Sequence, residues 1–261
     1  MIDYFVDVHA HISDEKLLSQ AGEVVLRAKK AGVQKIVTMG DDMQSSFRCV
    51  MLCEKFPEIY AGIGIHPENA DEISDENIEA LERLAKNKKV VCIGEIGLDY
   101  HYENFDKEKQ KECFLKQILL ANRLSLPIEV HMRDATQDVE QMLLANKENI
   151  RCGGLLHCFN ASLESAKVLM DLGFCFSVGG ILTFKNARNL KEVIPYLPKE
   201  RIMLETDCPY LAPEPFRGSV NEPKNIPLIA SFLADIWDEP IKRVAEITTK
   251  NAFALFERLG K

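Results

Sequence analysis

A parallel (β/α)8 TIM barrel is the fold this sequence predicts. Three observations carry the prediction. Short β-branched runs alternate with longer amphipathic stretches. Eight such runs occur, and most are apolar on both faces, as parallel strands covered by helices must be. The chain has 261 residues, close to the roughly 250 typical of one such barrel. Strands are expected at 5–9, 35–39, 59–65, 90–95, 128–131, 154–157, 174–178 and 202–205. Helical periodicity lies between them at 15–31, 42–55, 74–86, 106–124, 134–147, 162–172 and 185–194, and after the last strand at 224–236 and 240–258. Ser74 and Asp106 stand where N-caps belong. Pro223 and Pro240 stand near the starts of the last two helices. Residues 1–261 thus read as one barrel domain with no linker and no internal repeat. An open doubly wound sheet is the alternative, but no G-x-G-x-x-G or Walker A segment follows any strand to support a nucleotide cradle. The Pro-rich stretch 209–227 reads as one long loop after the eighth strand, a place where function often resides.

Composition narrows the class. Apolar residues are 46% and charged residues 28% of the chain, enough to bury a core and too apolar for disorder. The eight cysteines include no C-x-x-C pair, and several lie in apolar runs, so free thiols are expected. Cys158 and Cys208 flank two motifs described below and are expected to line the pocket rather than to ligate. The segment MIDYFVDVHAHI has no basic stretch followed by an apolar run, as a signal peptide would, and no apolar stretch is long enough to span a bilayer. A cytoplasmic protein without a membrane partner is expected. The net charge is −8, and Lys and Arg form no extended basic face. Binding along duplex DNA is therefore not expected, whereas a nucleic-acid end, a nucleotide or a small molecule stays open.

The chemistry-bearing residues fall at strand ends. In His9-Ala10-His11 the alternation of a strand puts both imidazoles, and Asp7 with them, on one face. The chain has six histidines. His66, His131 and His157 each end a predicted strand, and His101 reads as exposed and incidental. In a barrel, every strand's C-terminal end opens on one rim, where active sites are found. Glu95 follows V-V-C-I-G and Asp207 follows I-M-L-E-T. An acid ending an apolar strand is costly unless paired or metal-bound. His9, His11, Glu95, His131, His157 and Asp207 supply six N/O ligands without sulfur, suited to Zn, Mg or Mn. Six is too many for one tetrahedral ion, and two divalent ions bridged by Glu95 would use them.

At this point the residues resemble a known family. The segments D-V-H-A-H (7–11), G-I-H-P (64–67), G-E-I-G-L-D-Y (94–100), V-H-M-R-D-A (130–135), L-H-C-F (156–159), E-T-D-C-P-Y-L (205–211) and R-G-S-V-N-E-P (217–223) are similar, in order and over nearly the whole chain, to TatD-type metal-dependent deoxyribonucleases and hydrolases of the amidohydrolase-like barrels. The resemblance implies that His9, His11, Glu95 and Asp207 hold one ion and that Glu95, His131 and His157 hold a second. It also implies that Asp207 orients or deprotonates the attacking water. Family members often carry a histidine after the G-I-H-P proline, where this chain has Glu68. That departure bears on substrate contacts, not on the metal set.

Four further residues are candidates for substrate contact or ligand support. Glu205 shares a predicted face with Asp207 and either orders a ligand or pairs with a buried Lys or Arg. Arg133, two residues past His131, suits a bidentate phosphate contact, with a salt bridge to Asp99, Glu95 or Asp134 as its alternative. Asp99 is expected just past the strand that carries Glu95. His66 either binds a substrate phosphate or supports a ligand. Tyr100, Tyr210, Phe159 and Phe216 are stacking or lid candidates. The function expected is hydrolysis by a metal-activated water, with DNA ends or short nucleic acid as substrate. A small-molecule amide, ester or phosphate is the alternative, since the fold and metal set do not choose between them.

Overall fold

Eight parallel strands pair in chain order: β1 (Phe5–Ala10), β2 (Val33–Met39), β3 (Ile59–Ile63), β4 (Val90–Asp99), β5 (Ile128–Arg133), β6 (Gly154–Leu156), β7 (Phe174–Val178) and β8 (Ile202–Leu204). The computed structural model describes residues 4–103 and 105–260, so the ends of the expected domain, 1–3 and 261, lie outside the described residues. The seam between β8 and β1 is closed beyond the regular ladder. Asp207 N–H donates to His9 O at 2.9 Å and His11 N–H to Cys208 O at 2.7 Å. The result is a nearly closed (β/α)8 barrel with helices between the strands.

The helices begin where short polar side chains cap them. Ser74 accepts from Asn77 N, Asp106 from Lys109 N, and Asp42 and Ser45 form a reciprocal capping box. The expected helix 15–31 is two pieces, Glu15–Leu18 and Ala21–Lys30, because Gln20 leaves helical geometry at φ −113, ψ 16. The expected helix 185–194 shrinks to Arg188–Val193, and that at 134–147 starts only at Thr136, after Asp134 in a left-handed conformation.

One apolar cluster packs the strands against the helical shell. A second draws residues from every strand but β5, including Val6, Val37, Tyr60, Val91, Leu155, Cys175 and Met203. Phe256 and Leu259, past the final helix Ile241–Leu255, join it. Arg258 donates to the carbonyls of Ala85 and Val90 and Asn251 to that of Ile202, so this segment stoppers the strands' N-terminal end. The opposite end is left for chemistry.

Two strands break register beside that end. On β1, Val8 and His9 stand opposite the single residue Val37. On β4, Gly94 and Glu95 stand opposite Glu129. A bulge redirects the side chain it carries, and both bulges carry a candidate ligand. Beyond its bulge β4 continues to Asp99, which pairs with Arg133. The expectation that Asp99 lies past the strand is corrected: the extra residue lets β4 follow β5 for another turn of the pleat. Gly97, at φ 146, makes that possible, since a Cβ there would collide with the carbonyl oxygen of His131.

Candidate metal centre

The six candidate ligands converge at the strands' C-terminal end, from β1, β4 and β5 and from the residues just past β1, β6 and β8. The two oxygens of Glu95 divide them. Its Oε2 lies 3.5 Å from His9 Nε2 and 3.5 Å from His11 Nε2. Asp207 Oδ1 lies 3.5 and 3.4 Å from the same nitrogens, which are 3.0 Å apart. A tetrahedral ion with bonds of about 2.0–2.1 Å sets its ligands about 3.3 Å apart. The donor spacing fits such an ion. Glu95 Oε1 faces the other way, 2.7 Å from His131 Nδ1 and 2.8 Å from His157 Nε2, with those nitrogens 3.1 Å apart. Three donors with an open side are the arrangement of a catalytic site, which keeps a position for water or substrate.

Two of the rings are held from behind. Asp99 Oδ2 is 3.0 Å from His131 Nε2. Glu129 Oε1 is 2.6 Å from His9 Nδ1. Glu205 Oε2 accepts from Ser177 Oγ and lies 3.9 Å from His157 Nδ1, beyond hydrogen-bond distance, so that buried nitrogen has no partner among the described residues. The buried pairing of Glu205 with Lys or Arg that the sequence allowed is absent among the described residues. Glu129 was missed in the sequence, although a signal existed: an acid in an apolar strand, two residues before His131 and so on its face.

Other expectations are redistributed. Asp7 does not join the cluster. Its carboxylate accepts from Thr206 N and Oγ1 at 2.9 and 2.6 Å, tying β1 to the turn that carries Asp207. Burial pushes it up to about 7 despite those bonds. His66 Nδ1 accepts from Glu68 N at 3.1 Å, so the neutral ring carries its proton on Nε2, 3.6 Å from Glu95 Oε1. Burial holds His66 down to about 3, leaving it a hydrogen-bond donor at neutral pH. Arg133 is exposed, 4.0 Å from Asp99, and lies over the Tyr102 ring. Asp134 pairs instead with His101. Phe159 is buried against Phe176, and Tyr100 donates to Asp138 and stacks on Phe105, so neither is free for a base. Tyr210 and Cys158 line the cavity, whereas Cys208 is wholly buried behind it.

Protonation follows from these contacts. Burial opposes charge on His131, but Asp99 and Glu95 outweigh it and raise the ring to about 9. Burial lowers His157 to about 4, so that ring is already neutral. Asp207 is held low by His11 and His9 against its burial. Burial likewise opposes charge on His9 and His11, but Glu95, Asp207 and Glu129 raise His9 well above its ordinary value, and His11 is raised beside Asp207. Ions arriving between pH 6.5 and 8.5 must therefore displace protons from His131 and from the His9–His11 pair, not from His157. Their apparent affinity is expected to rise with pH across that window, by about tenfold per unit for each proton displaced. Chelator competition at several pH values checks this, and a flat profile would remove the protonated histidines from the ligand set.

The sequence matches the family described as TatD related DNase over residues 6–257. The chain belongs to that family. Relatives within it are similar from end to end. An uncharacterized metal-dependent hydrolase of Bacillus subtilis, YabD, is 42% identical over 96% of this chain and 98% of its own length. YcfH of Escherichia coli, described in the same words, is 35% identical over 97% and 96%. The crystal structure of YJJV, a TatD homologue from Escherichia coli, superposes with a TM-score of 0.93 at 30% identity, covering 98% of this chain and 99% of that one. This TatD-family chain is a metal-dependent hydrolase with His, Glu and Asp clusters able to hold metal ions. Donor atoms within 4.8 Å of one another include those of His9, Glu95 and His157 and of His9, His11 and Asp207.

Proposed function

We propose that the chain is a two-metal deoxyribonuclease that hydrolyses phosphodiesters at DNA ends or in short strands. The observation that carries this reading is the divided carboxylate of Glu95, one oxygen toward His9 and His11 and the other toward His131 and His157. In this reading His9, His11, Glu95 and Asp207 hold one divalent ion, and Glu95, His131 and His157 a second. Zn, Mn or Mg would suit such sulfur-free donors. Ions held there supply Lewis acidity and a water activated at neutral pH.

The chain's own groups complete the site. Asp207 keeps its side chain 14% exposed toward the cavity, beside both His9 and His11, where it can take the proton of an attacking water. The Nε2–H of His66 and the guanidinium of Arg133 line the same cavity and can donate to phosphate oxygens. Tyr210 is exposed at its rim, where its ring can meet a base. A cavity of about 570 Å³ accommodates a nucleotide-sized group rather than the side of a duplex. The net charge of −8 points the same way.

One observation favours a small-molecule substrate instead. Glu68, Asp71, Glu103 and Asp106 line an adjoining cavity of about 510 Å³, an acidic flank that repels a long polyanion. The two readings separate in one assay. Purified protein with Mg²⁺, Mn²⁺ or Zn²⁺ is given single-stranded and duplex DNA of defined ends, beside p-nitrophenyl esters and phosphodiesters. Metal-dependent shortening of DNA is the expected result. Turnover of a small ester or amide with no DNA cleavage under any ion overturns the nuclease reading.

A further inference from the structure

Glu129 has no counterpart among the motif residues. It occupies β5's place in the inner layer of the barrel, where the other seven strands contribute mainly apolar side chains. It is 0% exposed. A carboxylate so buried is costly unless it is paired and hydrogen-bonded. Its two oxygens have specific neighbours. Oε1 lies 2.6 Å from His9 Nδ1, and Oε2 accepts from Cys92 Sγ at 3.6 Å. The backbone opposite is cut to admit it: a Cβ on Gly94, in the β4 bulge, would fall 2.6 Å from Glu129 Cβ.

The chemistry of that contact is directional. A carboxylate behind Nδ1 keeps the proton on that nitrogen and leaves the lone pair on Nε2. His9 Nε2 is the atom that meets His11, Glu95 and Asp207. The same ring stacks on His157, with centroids 4.0 Å apart and planes 11° from parallel, so its tilt is shared with the second cluster. We propose that Glu129 is a positioning residue of the metal centre. It sets the tautomer and orientation of His9 and thereby tightens the ion held by His9 and His11, without touching substrate. The inference rests on the reading that His9 Nε2 ligates an ion.

The test uses the metal-stripped full chain and Zn²⁺ alone, with affinity read by competition against a chromophoric chelator and folding read by circular dichroism and thermal midpoint. Three variants are compared with wild type: E129Q, E129L and H9A. E129Q keeps an acceptor for Nδ1–H but loses the charge, and it is expected to fold normally while weakening Zn²⁺ binding about tenfold. E129L loses both and is expected to weaken it up to about 100-fold. Its metal-free thermal midpoint is expected to fall, because the buried Nδ1–H of His9 loses its acceptor, so affinity is read on the folded fraction only. A merely structural Glu129 would leave the affinity of the folded fraction unmoved in both variants. Wild-type Zn²⁺ affinity in E129Q and E129L, with loss in H9A, overturns this inference. Wild-type affinity in H9A overturns the ligand reading beneath it.

Discussion

Glu95→Gln is expected to lower kcat for metal-dependent hydrolysis by on the order of 10³-fold or more, with the fold retained. Its side chain faces both clusters: Oε2 is 3.5 Å from His9 and His11, and Oε1 is within 2.8 Å of His131 and His157. Glutamine keeps the volume, so the bulge of β4 and the packing around it need not move. It replaces one donor oxygen with an amide N–H₂ that cannot bind a cation, and it removes the charge between the two sites. Burial disfavours the charged form of Glu95, yet the surrounding histidines, His157 and His9 foremost, hold its carboxyl well below the usual range. The charge removed is therefore present throughout the working pH range. Metal content by elemental analysis and kcat by steady-state assay check this together. A rate within tenfold of wild type, with full metal content, would exclude Glu95 as a bridge.

Asp207→Asn is expected to cost on the order of 10² to 10⁴ in kcat, the usual worth of a positioned proton acceptor, with KM little changed if the contribution is made only in the transition state. Asparagine is the informative substitution because Asp207 sits in the left-handed region, φ 54, which Asn tolerates as readily as Asp. Its N–H donates to His9 O, closing the seam between β8 and β1, and that bond is independent of the side chain. The variant therefore separates chemistry from folding. The adjacent clamp, Asp7 on Thr206, stays intact and holds the turn in place. Saturating the variant with Mn²⁺ distinguishes the two roles of the carboxylate. Recovery of full rate would mean that Asp207 serves only as a ligand. A persistent loss is expected.

The family has been reached from two directions that agree. Motif order along the chain resembles TatD-type enzymes, and the match over residues 6–257 places it there. Neither direction reaches the substrate. Relatives as similar as YabD and YcfH are described only as metal-dependent hydrolases, and the active-site chemistry is shared by esters, amides and phosphates.

The sequence by itself determined the architecture and the identities of the candidate ligands. Eight buried parallel strands show as continuous apolar runs because both of their faces are covered, and that pattern needs no tertiary information. His9, His11, Glu95, His131, His157 and Asp207 stand out because polar residues ending such runs have no packing reason to be there. Tertiary structure alone decided how those residues are used. The bulges on β1 and β4 shift side chains by one position, so the alternation that grouped Asp7 with His9 and ended β4 at Glu95 fails at the two places where the site is built. A register slip depends on the neighbouring strand, and no local pattern encodes it. The split of Glu95's oxygens, the tautomer of His66 and the carboxylate of Glu129 behind His9 are likewise contacts between residues 36 to 120 positions apart in the chain, or orientations at the scale of a single bond. Residue type announces that a metal-binding rim exists, and only the closed barrel sets which atom of each residue faces it.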